Sequence, residues 1–224
     1  MAKRAKPARK AHRPARRSWR ERSKLRPEKG WAALTIGRLA KELRMSKSGL
    51  FAHFRSKRAL ELATLERARE VFADAVLRPA QASRAGIERL WNLCDLWLQH
   101  IERRVFSGPY FFIGAFFEYA DRSGPIAGAI TRIAREWFKT LRKAVQEAQE
   151  QEQINRNAEA KQVAWELNGR LVGAYWTYLL EGGDCCREAR GALLGRLREL
   201  ATDEIPASAF DSVRAWKEYL QGMH

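Results

Sequence analysis

The sequence predicts an all-α protein. Apolar residues recur at helical spacing along most of the chain, no alternating strand pattern with hairpin turns interrupts them, and Gly-Pro pairs punctuate the helical runs. At 224 residues the chain is long enough to bury a sizeable core, in one or two domains.

Residues 1–29 stand apart. They hold 13 Lys or Arg against two Glu, a net of +11, whereas the remaining 195 residues carry only +5 of the formal +16. With Pro7, Pro14 and few apolar residues, this segment is expected to be a disordered basic arm. Such an arm is either a solubilising tail or a partner for nucleic acid. Within it, "RSWRERSKLRPEKGW" offers only Trp19 and Leu25 to a helix, and Pro27 cuts that helix short.

Residues 30–78 form the next predicted unit. Thr35 caps a helix over Ile36–Leu43, with Ile36, Leu39, Ala40 and Leu43 on its apolar face. Arg44-Met45 makes a tight turn, and Ser46 caps a second helix over Lys47–Phe54. Leu50, Phe51 and Phe54 face inward, leaving Lys47, Ser48, Ala52 and His53 outside. The second helix is too short and polar for a core element. It suits either a helical hairpin with charged outer faces or a helix-turn-helix. In the second case Ser48 and Gly49 permit close approach to bases, and Lys47 reaches a phosphate or a guanine edge. Lys57, at the head of the following helix, sits where a phosphate finds a cation and backbone N–H groups. That helix carries Leu60, Leu62, Leu65, Ala68, Val71, Phe72, Ala75 and Val76, and Pro79 is expected to close it.

Residues 79–206 read as a larger helical domain. Ile87 to Ile101 is amphipathic, and Ser107-Gly108-Pro109 breaks it. Tyr110–Tyr119 is apolar almost all round, ending at Ser123-Gly124-Pro125. A long helix from Ile126 to about Gln151 presents Ile130, Ile133, Ala134, Trp137, Leu141 and Val145 as its stripe. Further helices span about Ala158–Leu180 and Arg187–Ala201, and residues 207–224 form an extension with one short helix.

The stretch Thr35-Ile36, Leu39-Ala40, Met45-Ser46, Leu50-Phe51, His53-Phe54, Ser56-Lys57 and Leu60 resembles the DNA-binding domain of the TetR family of transcriptional regulators. Two positions depart from that pattern: Arg44 replaces a turn glycine, and Phe51 stands where the family usually has Tyr. The resemblance implies that Thr35, Lys47, Ser48, Gly49, Phe51, His53 and Lys57 form the face on a double-stranded DNA operator. It also implies a small apolar or aromatic effector held among Trp91, Cys94, Phe112, Phe116, Trp137 and Tyr175. The last two large helices, with Gly169 and Gly173 four apart, would pair two copies as a homodimer. The expected function is a repressor released by its effector. The competing reading is a helical dimeric ligand-binding or scaffold protein that binds DNA only non-specifically, because the first helix is degenerate.

No Ser-His-Asp set, phosphate-cradling glycine loop or metal-ligand spacing is present, so neither an enzyme nor a cofactor is expected. Cys94, Cys185 and Cys186 suggest thiols rather than a disulfide scaffold or a metal site. The absence of a long apolar run predicts no membrane span and a cytoplasmic location.

Overall fold

The computed structural model describes Phe54 and residues 56–103, 111–119, 121–181 and 185–222. Among these it is all helical, as the sequence predicts. The elements are α1 (Lys57–Phe72), α2 (Arg78–Ala82), α3 (Ile87–Glu102), α4 (Phe111–Tyr119), α5 (Pro125–Glu150), α6 (Ala160–Glu181), α7 (Cys185–Leu200), a 3-10 turn (Ala207–Phe210) and α8 (Val213–Gly222).

Pro79 does not close the first helix. The chain stays helical through Ala82. Pro79 lacks an N–H, and its ring would strike the carbonyl four residues back. The backbone adapts by widening into a π-turn over Ala73–Leu77, where the Arg78 N–H reaches back to the Ala73 carbonyl. Proline then occupies the start of α2, where its missing donor costs little. The helix stops where Ser83 becomes extended and its N–H and Oγ both donate to the Ala80 carbonyl.

The following turn depends on Gly86. Its φ of +98° lies in the region that favours glycine, and a Cβ there would meet Gln153 Oε1 at 2.3 Å. That same oxygen accepts the Ile87 N–H at 2.8 Å, so Gln153, from the loop after α5, caps α3 across 66 residues of sequence.

α6 packs against α7 and α5, and α3 packs against α5 and the π-turn. Trp91, Leu93, Cys94, Leu98, Leu141, Leu167, Leu171 and Leu197 are among the buried residues of the main core. The C-terminal helix belongs to this core. Trp216 is fully buried, stacked on Phe210 at 5.0 Å and edge-on to Trp91 at 6.0 Å. An ion cluster fastens the same corner. Arg190 of α7 donates to Asp95 of α3 at 2.5 Å and to both oxygens of Glu102 at 2.7 and 2.9 Å, while Lys217 of α8 lies 3.2 Å from Asp95. Burial works against the Asp95 charge. The Arg190 hydrogen bond and the Arg190 and Lys217 charges outweigh it and hold the carboxyl below its usual range.

A smaller apolar cluster stands apart at the upper part of α1. It comprises Leu65 of α1, Ala115 and Tyr119 of α4, and Ile126, Ala129 and Ile130 of α5.

Candidate nucleic-acid interface and effector region

Of the expected DNA-facing residues, Lys57 is described. Thr35, Lys47, Ser48, Gly49, Phe51 and His53 lie outside the described residues, as do the basic arm and its degenerate helix. Ser56 is extended and caps α1, its Oγ accepting the Ala59 N–H at 3.1 Å. No acid occupies the first turn, which keeps the helix head favourable to an anion.

Lys57 Nζ lies 3.5 Å from Glu61 Oε1, one turn further along. The lysine is half exposed, but Glu61 is buried. On the other side of the same carboxylate oxygen stands the Tyr119 hydroxyl of α4, also at 3.5 Å. Burial, then the nearby Glu61 and Glu118 charges, raises the Tyr119 pKa, so the phenol remains a donor. Arg122 covers the Tyr119 ring at 4.9 Å. The head of α1 is thereby tied to the end of α4. Sequence patterning gave no sign of Glu61 or Tyr119 in this role, because the contact joins residues 58 apart.

The other end of α1 enters an aromatic nest. The Phe72 ring meets His100 at 5.7 Å, Phe112 at 5.8 Å and Trp137 at 5.6 Å, each edge to face. Trp137 Nε1 donates to Asn168 Oδ1 of α6 at 3.0 Å. Elements α1, α3, α4, α5 and α6 therefore converge here. Burial, and secondarily the Arg103 charge, pushes the His100 pKa down to about 4, so the imidazole is neutral at pH 7.

Of the six residues expected to hold the effector, the nest brings Phe112 and Trp137 together on Phe72. Trp91, Cys94 and Tyr175 are buried in the main core, with Trp91 turned to Trp216. Burial, then the Asp95 charge, pushes the Cys94 thiol up to about 12, leaving it a small apolar filler. Phe116 is 47% exposed, edge-on to Phe117 at 6.2 Å. Phe72, His100 and Asn168 were not anticipated as part of this region. Phe72 lay on the predicted stripe, but its convergence with α4 and α5 is a tertiary property.

Among the described residues no three His, Cys, Asp or Glu are grouped to hold a metal, and no helix is long and apolar enough to cross a membrane.

The described geometry is a capped helix with a cationic head, rooted at its other end in an aromatic core. The sequence completes the assignment. Residues 24–64 match the family described as bacterial regulatory proteins, tetR family, and residues 86–193 match the tetracyclin repressor-like C-terminal domain. The chain belongs to the TetR family of transcriptional regulators. No curated protein sequence matches it. Similar solved structures share the fold. A TetR-family regulator from Streptomyces coelicolor aligns with TM-score 0.70 and 19% identity, over 83% of this chain and 97% of its own. A transcriptional regulator from Saccharomonospora viridis, in complex with choline, aligns with TM-score 0.69 and 21% identity, over 84% and 98%. AibR, in complex with isovaleryl coenzyme A and operator DNA, aligns with TM-score 0.58 and 20% identity, over 76% and 89%.

Proposed function

We propose that the protein is a homodimeric repressor that leaves its operator when a small apolar or aromatic effector enters the nest around Phe72, Phe112 and Trp137. The observation that carries this reading is the double attachment of α1. Lys57 and Glu61 tie its head to Tyr119, and Phe72 roots its other end among the rings. A ligand that spreads those rings tilts α1 and changes the separation of the two reading heads. DNA favours one separation and effector another, so each opposes the other's binding.

The dimer is supported by an uncovered apolar face. Trp176, Leu179 and Leu180 of α6 are 60%, 47% and 69% exposed. Gly169 and Gly173 of α6, and Gly191 and Gly195 of α7, have open space where a Cβ would stand. Large apolar residues flanking small ones allow two helix pairs to approach closely across a two-fold axis. Operator contacts are assigned to Thr35, Lys47, Ser48, Gly49, Phe51, His53 and Lys57 by the family resemblance. Two neighbours on this fold are in complex with choline and with isovaleryl coenzyme A, which supports a small-molecule ligand.

The test is a mobility shift with DNA from upstream of the protein's own gene. Sequence-specific retention, lost in the Lys47→Ala–Ser48→Ala double variant, supports the reading. Salt-labile binding to any DNA supports the scaffold alternative. A thermal-shift screen of apolar and aromatic small molecules then finds the effector, which must raise the melting point and release the DNA.

A further inference from the structure

A second site lies away from the aromatic nest. Between α5 and the start of α6 runs an open groove of about 770 Å³, lined by Arg135, Phe138, Lys139, Arg142, Lys161 and Trp165, with Glu159 as its acid. Positions 135, 139 and 142 are spaced four and three apart and share one face of α5, and Lys161 joins them from α6.

Several cations elsewhere are matched by acids one turn away: Arg67 with Glu70 at 2.7 Å, Arg69 with Glu66 at 2.7 Å, Arg156 with Glu152 at 3.3 Å and Arg214 with Glu218 at 2.8 Å. Among the described residues, none of Arg135, Lys139, Arg142 and Lys161 forms an ion pair. Like charges one turn apart repel, so the arrangement costs stability unless an anion fills it. Glu159, whose two oxygens accept the Lys161 and Gln162 N–H groups at the head of α6, sets one negative charge against four positive ones. The attraction for an anion therefore comes from side chains and not from that helix end.

The cations flank aromatic rings. Trp165 is largely exposed and Phe138 half-buried. Guanidinium forks match phosphate oxygens, and exposed rings stack on flat ligands. The groove's volume falls in the range of small-molecule sites. We infer that the groove between α5 and α6 binds a small ligand joining a flat ring to phosphate groups, of the chemical class of a nucleoside di- or triphosphate. It is independent of the effector nest, whose residues it does not share.

The probe is ADP, titrated calorimetrically into the full chain, with adenosine and pyrophosphate as controls. The expected result is saturable ADP binding that weakens as salt rises, with each control binding at least tenfold more weakly. Lys139→Glu–Arg142→Glu should lose at least tenfold in ADP affinity. Lys139→Gln–Arg142→Gln should lose less, and it replaces the reversal should that variant fail to fold. Trp165→Ala should lose several-fold when compared at a matched oligomeric state, because Trp165 also borders the proposed dimer face. The inference is overturned by no saturable heat with ADP. It is equally overturned by pyrophosphate binding as tightly as ADP, by a single-stranded oligonucleotide that displaces ADP at far lower concentration, or by ADP binding that ignores the charge variants. Operator binding by these variants stays intact if the regulator reading holds, which keeps the two readings separable.

Discussion

The main core and the small cluster beside α1 use the same kinds of residue to opposite effect. The main core is fixed several times over: by the Trp91–Trp216–Phe210 stack, by the Arg190 ion cluster, and by Gln153 capping α3. The small cluster holds α1 to α4 and α5 through Leu65, Ala115, Tyr119 and the isoleucines of α5, with one pair of 3.5 Å polar contacts at its edge. Phe112 packs against both. Such a difference sets where the molecule yields first. Elements with few buried contacts open at low free energy, whereas an interlocked core opens only with the whole domain. A regulator needs this division: a rigid base that keeps its shape and a joint that a ligand of ordinary affinity can shift by a few kcal/mol.

The comparison is broken most severely by Trp216→Ala. Removing a fully buried indole that meets the rings of Trp91, Phe210 and Tyr219 should cost about 3–5 kcal/mol, read as a large fall in the denaturation midpoint. Should the loss be under about 1 kcal/mol, the C-terminal helix is not part of the rigid base. Arg190→Ala comes next. It leaves the buried Asp95 carboxylate with only Lys217 and the Gln99 amide, both on one oxygen, and should cost about 3 kcal/mol. Arg190→Lys should recover only part of that, since an ammonium cannot reach Asp95 and both Glu102 oxygens with a fork.

His100 tests the base against acid. Its folded pKa is about 4, below the ordinary 6.5, so the unfolded chain takes up a proton that the folded chain refuses. Stability from this residue is fully present above pH 6.5 and is lost as pH falls toward 4. The total is at most about 3 kcal/mol. Asp95 and Glu102 are also held below their usual range, so their losses come mainly in the more acidic part of a titration. Denaturant melts between about pH 6.5 and 5 should show a falling stability in the wild type and a flatter profile in His100→Gln. Equal slopes would mean that His100 charges readily in the fold.

Helical periodicity made the large domain legible, and it failed where backbone chemistry or tertiary contact decided the outcome. The amphipathic stripes placed α3, α5 and α6 to within a few residues. Pro79 was misread because a proline ends a helix only when the preceding turn cannot widen, and here the π-turn absorbs it. The sequence motif put Lys57 at a helix head, where Ser56 caps it. That motif is silent on what anchors the lysine. Glu61 belongs to no apolar stripe, and nothing in the apolar run Tyr110–Tyr119 marks Tyr119 as its partner. The many aromatic residues from α3 to α6 are plain in the sequence, but the sorting of their rings is not. Trp91 serves the base, Phe112 and Trp137 surround the root of α1, and Trp165 and Trp176 stay outside.

The smallest stability effect carries the most information about the joint. Tyr119→Phe removes one weak hydrogen bond and keeps the ring packed under Arg122, so its stability cost should be about 1 kcal/mol or less. Its effect on regulation should be larger in proportion. Without the phenol, Glu61 answers only to Lys57, and a phosphate must compete with a fuller ion pair for that lysine. Operator affinity should fall several-fold, while effector affinity at the far end of α1 holds or rises. Glu61→Gln should act the other way, freeing Lys57 and strengthening operator binding. Opposite signs from two neighbouring, nearly isosteric changes cannot arise from loosened packing, which would weaken both. If the two variants shift operator affinity in the same direction, the head of α1 is merely packed against α4, and the tilt must be transmitted through Leu65 and the α5 isoleucines instead.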